Sequence, residues 1–181
     1  NLVSMGQGEP FQNYQATLEA LRFANAKDGL EIGARHITVS TCGIIQGIER
    51  LANEPEQFTL AVSLHSALQD VRNEIMPRCS NIPLPHLKKA LRSYIEKTGR
   101  RVSFEYLLIK GVTDTEENLA ALIDFCDGLL CHVNLLSVNE VEGSPYKPSS
   151  TATQQRWVKE LKSAGKEATI RNSRGSDIDG A

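Results

Sequence analysis

The residues best suited to chemistry are Glu9, in the run Gly6-Gln7-Gly8-Glu9-Pro10, and the pair Ser63 and His65, in Ser63-Leu64-His65-Ser66. Glycines let a backbone approach a ligand closely, and a carboxylate beside them can accept from an ammonium group. Pro10 stiffens the exit from that loop. Ser63 and His65 close an apolar run and deliver a hydroxyl and an imidazole to one place. The glycine loop has no third glycine, so it is not a dinucleotide fingerprint, and it is not a Walker loop. A tight turn is the plain alternative for it, and a capping or supporting role is the alternative for Ser63 and His65.

Other short polar runs share this character: Ser40-Thr41-Cys42-Gly43, Lys110-Gly111-Val112, Ser137-Val138-Asn139-Glu140 and Arg171-Asn172-Ser173-Arg174-Gly175. Lys110 is either a Schiff-base lysine or an exposed loop lysine. His36, His86 and His132 receive no role. The four cysteines, Cys42, Cys79, Cys126 and Cys131, form no C-x-x-C and have neither zinc-finger nor ferredoxin spacing. They are expected to be packed, reduced thiols of a cytoplasmic protein, and no metal site is legible.

Each polar run follows a β-rich segment. Strands are expected at Leu2–Met5, His36–Thr41, Phe58–Leu64, Arg101–Ile109, His132–Leu136 and Glu167–Arg171. Several are near-continuous apolar runs, as in parallel strands buried on both faces. Five helical segments alternate with them. Their apolar stripes are Leu87, Leu91, Tyr94 and Ile95; Leu119, Leu122, Ile123 and Cys126; Trp157, Leu161 and Ala164; and Ile45, Ile48 and Ala52. Thr113 to Glu116 and Thr151 to Gln154 fit capping boxes, and Gly29, Gly99 and Gly165 sit where helices should end. This alternation predicts an α/β fold with parallel strands and outer helices, either a (β/α) barrel or an open sheet. Chemistry in both lies at the carboxyl ends of the strands, where the polar runs fall. Residues 1–181 read as a single domain, an incomplete barrel truncated at both ends.

At 40% hydrophobic and 23% charged residues, the composition is that of an ordinary globular chain. No apolar run is long enough to span a bilayer, so no membrane partner is expected. A net charge of −2 argues against a general nucleic-acid coat. Two basic clusters, Lys88, Lys89, Arg92, Lys97, Arg100 and Arg101, then Lys159, Lys162, Lys166, Arg171 and Arg174, read as solvated helix faces.

Taken in order, seven motifs resemble the radical S-adenosylmethionine (SAM) family that methylates carbon 2 or carbon 8 of adenine in RNA, the RlmN and Cfr family. They are Met5 to Pro10, Ile37 to Gly43, Leu60 to Ser66 with Asp70 and Arg72, Val102 to Val112, Val133 to Asn139, Pro148 to Ser150, and Ile170 to Ala181. The resemblance implies a partial (β/α) barrel of the radical SAM type. It assigns SAM contacts to Gly8, Glu9, Ser40, Ser63, Leu64, His65 and Asn139, with Glu9 on the methionyl ammonium. It also implies a 4Fe–4S cluster whose cysteine ligands, like the methyl-carrying cysteine, lie outside this sequence, so no catalytic residue is assigned within it. The implied partners are 23S rRNA, with tRNA as a second candidate, and an electron donor. The implied reaction is methylation at carbon 2 by a methyl-cysteine radical route, and the chain alone should be inactive. Gln7 stands where the family usually has Met, and Ser137-Val138-Asn139-Glu140 departs from its proline-containing loop. Rival readings are another radical SAM enzyme, an aldolase-type barrel using Lys110, and a non-enzymatic RNA-binding fragment.

Overall fold

The computed structural model describes residues 1–139 and 143–171. Glu140 and the stretch from Asn172 to Ala181, Arg174 included, lie outside the described residues. Among the described residues there are six strands: β1 (Leu2–Ser4), β2 (Ile37–Thr41), β3 (Thr59–Ser63), β4 (Val102–Leu108), β5 (Cys131–Ser137) and β6 (Glu167–Arg171). They follow one another in chain order in a single sheet. Every strand end lies within one residue of the position expected from sequence.

The helices are α1 (Tyr14–Asn25), α2 (Ile45–Leu51), α3 (Gln69–Ile75), α4 (Leu84–Thr98), α5 (Glu116–Cys126) and α6 (Thr151–Ser163). That is one more than the alternation predicts, because β3 and β4 are joined by both α3 and α4. The apolar residues of the short α3, Val71 and Ile75, are only half-buried, and its one buried residue is Arg72. Two expected helix starts also move. The N-cap of α5 is Thr115, whose side chain accepts from Asn118 N, and that of α6 is Ser150, which accepts from Thr153 N. Thr113 is instead buried, its hydroxyl accepting from Ile109 N at 2.8 Å and donating to Leu107 O. Gly99 ends α4 in a left-handed conformation as expected. Gly29 does not cap α1, which ends at Ala26; a Cβ at Gly29 would fall 1.8 Å from the Phe23 carbonyl oxygen. Ala164 is exposed, so the α6 stripe is Trp157 and Leu161 alone.

Two compact units are distinguished, Asn1–Ser63 with Asn81–Ser103, and Leu64–Ser80 with Phe104 onward. In the first, β1, β2 and β3 pair in parallel, with Ser4 opposite Val39, Ser40 opposite Ala61 and Thr41 opposite Val62. On β2 the side chains of Ile37, Val39 and Thr41 are buried and those of Thr38 and Ser40 are half-buried, as alternation along a strand requires. Ile48 and Leu51 of α2 and Leu87, Leu91 and Tyr94 of α4 are buried as well, and these two helices pack on each other. Gly47 of α2 is required by packing, since a Cβ there would lie 2.3 Å from the Phe11 ring. In the second unit β5 and β6 pair in parallel, Asn134 opposite Thr169. Trp157 is fully buried with its ring centroid 5.3 Å from that of Tyr106. Burying a large apolar side chain of this kind contributes roughly 1.5–3 kcal/mol, so these strands are fixed from behind by ordinary core packing.

Candidate functional site

In the first unit, four of the residues singled out by sequence stand at the carboxyl ends of three adjacent strands: Gly8 and Glu9 after β1, Ser40 in β2 and Ser63 closing β3. Gly6 and Gly8 have φ of 125° and 100°, a conformation that side chains strain to adopt. A Cβ at either would meet nothing within 4 Å, so the backbone there borders open space.

Glu9 does more than offer a charge. Its Oε1 accepts from Phe11 N at 3.0 Å and from the Thr41 hydroxyl at 2.8 Å, and its Oε2 accepts from Cys42 N at 2.7 Å. The carboxylate thus caps the 3-10 turn Pro10–Asn13 and ties the end of β2 to the glycine loop. Thr41 Oγ1 in turn accepts from Gly43 N and Ile44 N at 3.1 and 3.3 Å. A carboxylate has about four lone-pair positions, so Glu9 retains one for a ligand after these three bonds. Thr41 was present in the sequence motif but carried no predicted role. Ser40, next to it, is half-buried.

The second unit holds Leu64, His65 and Asn139. Leu64 and His65 donate their backbone N–H groups to one acceptor, the Glu105 carbonyl of β4, at 3.0 and 3.2 Å. This holds His65 at a φ of 58°, uncommon for a residue with a side chain. The Leu64 side chain is fully buried. The His65 Nδ1 is shielded from water and has no hydrogen-bond partner among the described residues. Burial, aided by the charge of Arg72, lowers its pKa to about 4, so the imidazole is neutral at pH 7. A neutral imidazole offers one donor and one acceptor, which suits sugar hydroxyls better than a charged partner. Arg72 is itself fully buried, its Nη1 donating to the Cys79 carbonyl at 3.5 Å. Asn139 lies two residues past the end of β5 and is half-buried.

The loops after β3 and β4 share a buried hub that sequence reading missed. The Ser66 hydroxyl donates to Asn118 Oδ1 at 2.7 Å, and the Tyr106 hydroxyl contacts the same oxygen at 3.2 Å and the Thr113 carbonyl at 3.1 Å. A polar ladder also crosses one face of β4, β5 and β6. His132 Nε2 lies 2.9 Å from Thr169 Oγ1, which donates to Asn134 Oδ1 at 3.0 Å. Asn134 Nδ2 donates to Glu105 Oε1 at 2.9 Å, and Arg171 Nη1 is 3.8 Å from Glu105 Oε2. The signal for this ladder was present: Glu105 and Asn134 are strongly polar residues in the interior of largely apolar strands.

Lys110 sits on the turn after β4 with an exposed side chain. A Schiff-base lysine needs a desolvated pocket or a cationic neighbour to lower its pKa, and this setting offers no desolvation. Among the described residues, no group of three or more His, Cys, Asp or Glu side chains could hold a metal ion. No helix among them is long and apolar enough to cross a membrane.

The chain is 44% identical over all 181 residues to the "Probable dual-specificity RNA methyltransferase RlmN" of Clostridium perfringens strain 13. It covers 52% of that protein, and it spans about half the length of the curated relatives it matches. The crystal structure of a radical SAM methyltransferase from Sphaerobacter thermophilus superimposes with a TM-score of 0.95 at 46% identity, over the whole chain and 53% of that protein. A domain of the pyruvate-formate lyase-activating enzyme of Bacteroides vulgatus gives a TM-score of 0.71 at 19% identity, covering 94% of this chain and 98% of that one, a likeness of fold alone. No protein-family profile matches the chain. The expected α/β architecture, part of a radical SAM barrel with parallel strands and outer helices, is therefore the one observed.

Proposed function

The chain is a homologue, along its whole length, of the radical SAM RNA methyltransferases of the RlmN type, and we propose that it is the SAM-binding core of an enzyme that methylates carbon 2 of adenine in 23S rRNA and in tRNA. The observation that carries the SAM reading is the glycine loop. Its positive-φ backbone borders open space, and the Glu9 carboxylate is locked beside it with one acceptor position left.

The residues present fit the cofactor's chemistry. SAM carries an ammonium, a carboxylate, ribose hydroxyls and an adenine edge, and so calls for a few directed polar groups rather than a strong charge. In this reading Gly8 and Glu9 take the ammonium, Ser40 and Ser63 hydrogen-bond the polar groups of the methionyl moiety and ribose, and neutral His65 meets a ribose hydroxyl. Leu64, whose side chain is buried, contributes through its main chain, and Asn139 addresses the adenine. The work of these residues is to bind and orient, with the backbone around them preorganised by Glu9, Thr41 and Glu105.

A 4Fe–4S cluster, when bound, would supply the electron that cleaves SAM to a carbon radical. The described residues do not form a set of ligands for it, so no step of that chemistry is assigned to them. The methyl-carrying group likewise falls to residues outside this sequence, and the chain alone should not turn over. The compartment in this reading is the cytoplasm, where the RNA substrates and an electron donor are available.

The test is direct. The native polypeptide carrying this sequence, reconstituted with iron and sulfide, is given SAM, a reductant and unmodified 23S rRNA or tRNA, and nucleosides are analysed by mass spectrometry. 2-Methyladenosine is the expected product; 8-methyladenosine would move the site of methylation, and no methyladenine at all would overturn the reading.

A further inference from the structure

At the opposite ends of the first unit's strands lies a cleft of about 340 Å³ bordered by Arg35, Thr59, Thr98, Arg100, Arg101 and Ser103. Arg35 belongs to the 3-10 turn before β2, Thr59 opens β3, and Arg100 and Arg101 lie between α4 and β4. The sequence grouped Arg100 and Arg101 with a basic helix face. They are not on the helix, because Gly99 ends α4 just before them, and this turns both arginines into the cleft wall.

The cleft is electrostatically one-sided. Three of its lining residues are arginines, and none of its lining residues is acidic. The carboxylate closest in charge effect is Glu56, which feels Arg100 but is committed to Arg22 at 2.6 Å. Arg35 donates Nε to the neutral Gln57 side chain at 2.8 Å, so its charge is uncompensated by that contact. The Nε and Nη1 of Arg100 are shielded from water with no hydrogen-bond partner among the described residues. The Tyr94 hydroxyl lies beside this guanidinium but is neutral, and it adds no compensating charge. With only the neutral Tyr94 hydroxyl beside it, this guanidinium keeps donors that an anion in the cleft would satisfy. Guanidinium forks match the oxygens of a phosphate geometrically as well as electrically, and the Ser103 hydroxyl adds a neutral donor at the wall.

We propose that this cleft binds a backbone phosphate of the RNA substrate, at a distance from the adenine that reacts. The inference rests on the RNA methyltransferase reading above. Strands of five residues separate the two ends of this unit by about 16 Å, so the contact falls on a different part of the RNA from the target base. A phosphate contact of this kind fixes the position of an RNA without reading its sequence. It also reconciles RNA binding with a chain whose net charge is −2, since three arginines suffice locally.

The experiment uses the native polypeptide, with Arg35→Glu and Arg101→Glu combined, and Arg101→Lys as the conservative control. Both arginines are exposed, and retained SAM affinity reports intact folding. RNA affinity is measured over a range of salt concentrations, with a substrate RNA and an unrelated RNA. The double variant should bind both RNAs several-fold more weakly, with the slope of log K against log salt reduced by about 1 for each phosphate no longer neutralised. Arg101→Lys should keep most of the slope. If wild type methylates RNA and the double variant matches its affinity and slope, the phosphate site is wrong while the functional reading stands. If wild type neither binds nor methylates RNA, the functional reading itself fails. If inorganic phosphate raises the melting temperature of wild type but not of the double variant, and the RNA slope is unchanged, the cleft takes free phosphate and the RNA proposal is overturned.

Discussion

Glu105 and His65 are joined through the main chain: the Glu105 carbonyl accepts from His65 N at 3.2 Å and from Leu64 N at 3.0 Å. At the same time the Glu105 carboxylate accepts from Asn134 at 2.9 Å and faces Arg171 at 3.8 Å. One residue of β4 therefore sets the backbone after β3 and orders the side chains of β5 and β6. At 6% exposure, Glu105 can hold this position only because its charge is hydrogen-bonded and paired.

Replacing Glu105 tests that pairing. Glu105→Leu should destabilise the fold by about 1–3 kcal/mol, because the Asn134 amide loses its acceptor inside the protein. Glu105→Gln keeps an acceptor for Asn134 and should cost less. Urea unfolding of the two variants measures the difference, and equal losses would mean that the hydrogen bond to Asn134 contributes little.

Glu9 separates binding from scaffolding by the choice of substitution. Glu9→Ala removes all three bonds and should lower both SAM affinity and melting temperature. Glu9→Gln keeps one oxygen but sets an amide donor against a neighbouring N–H. It should therefore lose stability too, although its volume is preserved. Isothermal titration with SAM and thermal melts give the two readouts in the native polypeptide. Unchanged SAM affinity in Glu9→Ala would remove Glu9 from the binding residues and leave it as a cap.

His65 predicts a pH dependence of known sign. Burial lowers its pKa from 6.5 to about 4. Between those values the unfolded chain binds a proton that the folded chain does not, so stability is complete above about 6.5, falls as the pH drops toward 4, and levels off below. The full loss is about 3 kcal/mol. His65→Asn, which tolerates the positive φ, lacks this part of the slope, so the unfolding free energy of wild type minus that of the variant should fall by about 3 kcal/mol between pH 7 and pH 4. A difference that stays flat with pH would show that the imidazole is not held neutral.

The periodic part of the molecule was legible in the chain alone. Apolar runs and helical stripes follow directly from which side chains must leave water, and all six strands fell within one residue of their observed ends. Polar and glycine residues at strand ends break that pattern and marked the loops, while the choice of Gly8, Glu9, Ser40, Ser63, Leu64, His65 and Asn139 within them came from the family resemblance. Tertiary structure settled which side chains those residues meet. That Glu9 is bonded to Thr41 and Cys42, more than thirty residues away, depends on the parallel pairing of β1 with β2. That Glu105 and Asn134 share a hydrogen bond depends on strands folded beside each other, and that Arg100 and Arg101 enter a cleft depends on where Gly99 stops a helix. Periodicity is a local consequence of the hydrophobic effect, whereas hydrogen-bond partners and the sign of a cleft arise only when distant segments are brought to within a few ångströms.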